Sequence, residues 1–166
     1  HSINLTEPDM YWFRQQNVAF LSCFPPCTDV SISGARWFKG KGLRALARSI
    51  DYFATCTEVA EILDCPYLIE NPMSTISTYW RPPDHKFHPC HYSGYAAGGE
   101  FYTKETWLWT GGGFVMPPKQ MNNDLFDEPD ATYIHHQSPG PERANIRSAT
   151  PAGFAKAAFL YNKDNQ

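Results

Sequence analysis

Residues 19–34 read AFLSCFPPCTDVSISG, and the reading of this stretch decides how the rest of the chain is organised. Val18–Leu21 is a short apolar run without alternation, the pattern of a strand buried on both faces of a parallel sheet. Pro25 and Pro26 end it, because proline has no N–H to give to a ladder. Cys27 follows on the stiffened turn, and a loop rich in Ser and Gly closes at Gly34. A thiol just past a buried strand is well placed as a nucleophile. A single cysteine is otherwise a small buried hydrophobe.

Outward from this turn, Gly42–Leu63 carries Leu43, Leu46, Ala47, Ile50, Phe53, Ala54 and Ile62 mainly at three-and-four spacing. Arg44, Arg48, Asp51 and Glu58 lie between them, so the segment predicts an amphipathic helix, or two with the second starting near Thr57. Pro66 separates it from the buried run Tyr67-Leu68-Ile69, which leads into Glu70-Asn71-Pro72 as a loop. Strand, helix, strand makes a right-handed βαβ unit with parallel strands. Their carboxyl ends share one rim, where open α/β sheets bind ligands, and Cys27 and Glu70 both fall there. By itself, Glu-Asn-Pro reads equally well as a loop whose carboxylate caps backbone amides.

The whole chain, 166 residues long, is expected to form one α/β domain, with irregular insertions at 80–101 and 117–145. A formal charge of -3 excludes a global basic field of the kind that marks a nucleic-acid binder. Basic character is local, in Lys39–Arg48 and Arg143–Arg147, and such runs are also ordinary solvated faces. Five cysteines, without a CxxC pair or a signal-like opening, argue for a reduced, cytoplasmic protein. No apolar run approaches the ~18 residues of a bilayer span. The polar residues 1–17 hold Tyr11, Trp12 and Phe13, expected to cover an edge of the core.

The motifs and their order resemble the cytosine-5 DNA methyltransferase family, specifically its phage and mobile-element branch. Phe24-Pro25-Pro26-Cys27-Thr28-Asp29-Val30-Ser31-Ile32-Ser33-Gly34 is similar to the family's Pro-Cys motif, and Glu70-Asn71-Pro72 to its Glu-Asn-Val motif. Tyr102-Thr103-Lys104-Glu105-Thr106, before the strand-like Trp107-Leu108-Trp109, resembles Gln-x-Arg-x-Arg, with Lys104 and Thr106 in place of the arginines. Lysine lacks arginine's planar fork. Ile146-Arg147-Ser148, leading into Ala152–Leu160, resembles the last family motif, with Thr150 as N-cap and Pro151 at the first helical position.

The resemblance implies a partial Rossmann-like methyltransferase sheet with helices packed on it and long irregular loops. It implies methyl transfer from S-adenosylmethionine to a flipped cytosine in DNA, as in restriction-modification enzymes. Cys27 would add to carbon 6 and Glu70 would hold the N3 edge. Asn71, Lys104, Thr106, Ser31, Ser33 and Arg36 would contact DNA, and Pro26, Arg147 and Ser148 the cofactor. The Ser31–Gly40 loop would be a mobile lid hinged at Gly34, Gly40 and Gly42, with Arg36, Lys39 and Lys41 on phosphates. The sequence has no Gly-rich Phe-x-Gly-x-Gly turn and no ribose-binding acid, so the cofactor half is expected from a missing segment or a second chain.

Two other readings stand beside this one. A non-catalytic relative would keep the scaffold and bind nucleic acid or a partner. A metal module would use His85, His88, Cys90 and His91, although their spacing matches no structural zinc pattern. In the family's arrangement that segment occupies the target-recognition region, where Trp80, Tyr92, Tyr95 and Phe101 would stack on bases, and the same aromatics read equally as the core of the loop, needing no ligand.

Overall fold

A computed structural model of the chain describes residues 5–96, 100–122, 128–133 and 148–163. Chain order gives α1 (Glu7–Arg14), β1 (Leu21–Cys23), a 3-10 helix (Ile32–Trp37), α2 (Phe38–Leu63), β2 (Tyr67–Pro72) and α3 (Ile76–Tyr79). β3 (His85–Phe87), a second 3-10 helix (Pro89–Tyr95), β4 (Thr106–Gly111) and α4 (Ala152–Asn162) follow. The architecture is mixed α/β around an open four-stranded sheet of order β1-β2-β4-β3. The described residues divide into two compact units, one holding 5–86 and 106–114, the other 87–96, 100–105, 115–122, 128–133 and 148–163.

In the first unit, β1 and β2 are parallel, as the strand-helix-strand pattern requires. β4 runs antiparallel to β2 from Tyr67↔Gly111 to Pro72↔Thr106, so the sheet is mixed rather than parallel. Antiparallel neighbours need no helical crossover. Pairing with β4 also carries β2 through Glu70, Asn71 and Pro72, which are strand residues and not a loop. β1 lies at Leu21–Cys23, later than the apolar run predicted. Its register begins at Leu21↔Tyr67, with the Leu21 N–H donating to Pro66 O at 3.0 Å, because β2 itself begins only after Pro66.

α2 is one element from Phe38 to Leu63, and its break lies at Gly42 (φ 75°, ψ 173°), not near Thr57. A left-handed φ of this kind suits only glycine well. The Thr57 hydroxyl donates back to Ala54 O at 2.7 Å within the helix. Leu46, Ile50, Phe53 and Cys56 turn one stripe toward Val30, Ile69, Ile76, Trp107 and Trp109, forming the core of this unit. Leu43, predicted on that stripe, lies near the break and is 82 % exposed. α1 buries none of its residues, and Tyr11 and Trp12 are exposed rather than covering a core edge. Three consecutive helical positions fan out by ~100° each, so they cannot share a face.

β4 leaves through Gly112 (φ 59°), where a Cβ would stand 2.0 Å from Cys65 O. Asp84 anchors its last turns: its carboxylate accepts from Arg81 at 2.7 Å and from the Thr110 N–H at 2.7 Å. Burial alone would raise the Asp84 pKa, but the hydrogen bonds from Arg81 and Thr110, with the charges of Arg81 and His85, hold it below the usual carboxylate range. A folded pKa below the unfolded one contributes stability above the unfolded value of ~4, which is lost as pH falls through the folded value. Denaturation midpoints measured from pH 5 to 2 are expected to fall less steeply for Asp84→Asn than for wild type.

In the second unit, Phe87, Tyr92 and Phe154 form a buried aromatic nest, with Phe87 and Phe154 stacked at 4.1 Å. Tyr92 is therefore a core residue, not a base-stacking one. α4 has no side-chain cap from Thr150; Pro151 occupies the cap position. Glu100 replaces it, accepting from the Ala152 N–H at 2.8 Å and the Gly153 N–H at 2.9 Å. A carboxylate there satisfies orphan amides and faces the positive end of the helix dipole. Of the loop predicted at 117–145, residues 117–122 and 128–133 are described, held by the Tyr92 and Tyr95 hydroxyls on Pro117 O and Pro118 O and by an Asp130 turn.

Candidate functional site

The Pro-Pro-Cys turn is set by backbone bonds that its sequence makes available. After β1 ends at Cys23, Pro25 is buried, Pro26 exposed and Cys27 half-buried. The Cys27 carbonyl accepts from the N–H groups of Val30 (3.1 Å) and Ser31 (2.8 Å), which curls the chain behind the thiol. The same loop is strapped to the segment after β2: Ile32 N–H donates to Met73 O at 2.9 Å and Thr75 N–H to Val30 O at 3.0 Å. Ser31 pairs with Ser74 in an isolated bridge, and the Ser31 and Ser33 hydroxyls are 2.9 Å apart.

β2 delivers the carboxylate to this edge. Glu70 is 7 % exposed and Asn71 1 %. Asn71 Nδ2 donates to Pro25 O at 3.1 Å, a buried bond that ties the carboxyl end of β2 to the turn carrying Cys27. Thr106, fully buried, opens β4 opposite Pro72, so it joins the same edge. Asn71 Oδ1, Ser74 Oγ and Thr75 Oγ1 are buried and make no hydrogen bond. Buried polar atoms are nearly always paired, so three such atoms within five residues mark a place with hydrogen-bonding capacity to spare. Asn71→Ala is expected to cost ~1–2 kcal/mol from the orphaned Pro25 carbonyl. It should also raise the alkylation rate of Cys27, read by mass spectrometry beside a melting curve.

The 3-10 helix and the start of α2 do not form a glycine-hinged lid. The chain passes from Ile32–Trp37 directly into α2, and among Gly34, Gly40 and Gly42 only Gly42 has positive φ. Lys41 is committed to the turn, pairing with Asp29 at 2.9 Å and donating to Thr28 O. Asp29 also accepts from Ser49 Oγ at 3.4 Å. Neither Asp29 nor this pair was singled out from sequence, although opposite charges flanking the loop were a signal for it. Arg36 is exposed and lies over the Trp37 ring at 5.0 Å. A cavity of about 280 Å³ opens beside Asp29 and Lys41, lined also by Phe38, Leu46, Thr75 and Tyr79.

The chain matches no family model, no curated protein and no solved structure.

The remaining predicted site residues belong to the second unit or lie outside the described residues. Lys104 donates to Ala149 O at 3.3 Å, next to exposed Ser148, and Arg147 lies outside the described residues, as does all of Arg143–Arg147. In the histidine segment, His91 Nδ1 accepts from the His88 N–H at 3.3 Å and Cys90 is buried. Burial, aided by the charges of Lys119 and His88, disfavours the His91 imidazolium. Among the described residues no three His, Cys, Asp or Glu side chains are grouped to hold a metal ion.

Proposed function

We propose that the first unit carries the base-addition site of a cytosine-5 DNA methyltransferase, with Cys27 as nucleophile and Glu70 on the N3 edge of the base. The observation that carries this reading is the Asn71–Pro25 hydrogen bond, which holds the Pro-Pro-Cys turn against the strand bearing Glu70. Cys27 is half-buried and Glu70 buried, so a base entering there would leave water. The thiolate would form a C–S bond to carbon 6, and the C5=C6 pair would move toward the N3 side, where the Glu70 carboxyl stabilises it. Carbon 5 then becomes basic. It takes a solvent proton, loses its original hydrogen, and the thiolate is expelled to restore the ring. DNA is the substrate on this reading, and the finer description of the fold is a partial Rossmann-like methyltransferase sheet.

The methyl donor is proposed to be S-adenosylmethionine, held by a further segment or a second chain. The described residues do not fit a site for it: β1 runs into two prolines rather than a Gly-rich turn, Pro26 is exposed, and the cavity beside Lys41 includes none of the residues predicted to bind it. The test therefore avoids the donor. DNA tritiated at cytosine carbon 5 should release label to water in the presence of the wild-type chain, faster than from DNA alone. No release above that background at saturating DNA would overturn the reading.

A non-catalytic nucleic-acid binder is favoured by a different observation, an exposed arginine over an exposed indole, Arg36 on Trp37 at 5.0 Å. Such platforms stack on bases and neutralise phosphates. Salt-dependent DNA binding without hydrogen exchange would select it. No helix among the described residues is long and apolar enough to cross a membrane.

A further inference from the structure

The cavity of about 280 Å³ in the first unit lies where α2 is broken. Gly42, at φ 75°, sets Phe38 and Lys39 at an angle to the rest of the helix, and the hollow opens in that angle. Phe38 forms one wall, Leu43, Ala45 and Leu46 a second, and Tyr79 of α3 a third. Leu43 and Tyr79 are 82 % and 69 % exposed, so the cavity presents apolar surface that no described residue covers.

The charged residues at the cavity are Asp29, Lys39 and Lys41. Two of these charges cancel, because Lys41 and Asp29 pair at 2.9 Å. Lys39 makes no ion pair with any described residue, which leaves an uncompensated positive charge beside apolar walls. The helix that resumes after Gly42 adds the positive end of its dipole to the same wall.

We propose that this cavity is a binding site for a small aromatic carboxylate, its rings between Phe38, Leu46 and Tyr79 and its anionic group at Lys39. Volume sets the size of the ligand. An apolar cavity of ~150 Å³ takes benzene, so one of about 280 Å³ takes a fused two-ring body. The walls set its chemistry: a nucleobase or a sugar would bring polar edges that they leave unpaired, since Asp29 already accepts from Lys41 and from Ser49 Oγ. A neutral hydrocarbon would leave the Lys39 charge without a partner, and a cation would be repelled by it. Neither Cys27 nor Glu70 lines the cavity, so the proposal is independent of the function assigned to them.

The probe is 2-naphthoate, titrated into the intact chain and followed by backbone amide NMR shifts. It should saturate with a Kd of ~1 mM or tighter, the scale for a ligand of this size. The shifts should centre on Leu43, Ala45 and Tyr79. Neutral 2-naphthylmethanol, of the same shape, should bind at least ~3-fold more weakly, and Lys39→Met should abolish that preference. Ala45→Phe, which fills the cavity from the helix wall, should abolish binding of both probes. No saturation by ~10 mM, shifts centred elsewhere, equal affinity for the two probes, or a preference for the acid that survives Lys39→Met would each overturn the proposal. The comparison of the two probes on the wild-type chain needs no variant, so a misfolded substitution cannot hide the answer.

Discussion

Cys27→Ser is expected to lower cytosine carbon-5 hydrogen exchange by at least ~10³-fold, because a hydroxyl cannot replace a thiolate in addition to a ring carbon. The substitution removes little volume, and Cys27 is only half-buried, so the melting temperature should hold. That split separates chemistry from folding. Glu70→Gln, of nearly the same shape, should slow exchange less, by ~10²-fold, since one hydrogen-bonding partner to the base remains while the acid is gone. DNA affinity should be kept in both. Exchange that survives Cys27→Ser unchanged would mean that another group, or none in this chain, adds to the base.

Trp109→Ala should unfold the first unit at moderate temperature. Trp109 is fully buried at the centre of β4, packs edge-on against Phe53 at 5.1 Å, and donates its indole N–H to Arg81 O at 2.9 Å. Removing a buried indole costs ~3–5 kcal/mol through lost transfer energy and the cavity left behind. The Arg81 carbonyl loses its donor as well. A melting temperature lower by more than ~10 °C is expected. Tyr79→Ala, at a side chain 69 % exposed, serves as the comparison and should change stability by less than ~0.5 kcal/mol. Equal losses in the two variants would show that the core has been placed in the wrong residues.

These two outcomes rest on different kinds of legibility. The order strand, helix, strand could be read directly from the apolar runs Val18–Leu21 and Tyr67–Ile69, proline punctuation and a three-and-four stripe on α2, although the first strand, Leu21–Cys23, shares only Leu21 with its run. The placement of Cys27 after a strand followed from them. The Asp29–Lys41 pair, the Asn71–Pro25 bond and the Glu100 cap were not readable, because each joins residues 12, 46 or 52 positions apart through side-chain geometry that no periodicity encodes. Aromatic content was a poor guide to burial. Tyr11 and Trp12 were expected in a covering role and are exposed, whereas for Tyr92 the sequence left base stacking and a loop core open and the structure puts it in a core.

By itself the sequence determined that a proline-stopped strand, a long amphipathic helix and a second buried strand would form, since those choices depend on backbone chemistry within a few residues. Only the tertiary structure decided that β4 pairs antiparallel with β2, which extends β2 through Glu70 and Asn71 and buries both at the edge where the Cys27 turn is pinned. Strand direction and register are set by which long-range pairing satisfies the most backbone groups and buries the most apolar surface, and that sum is taken over the whole sheet.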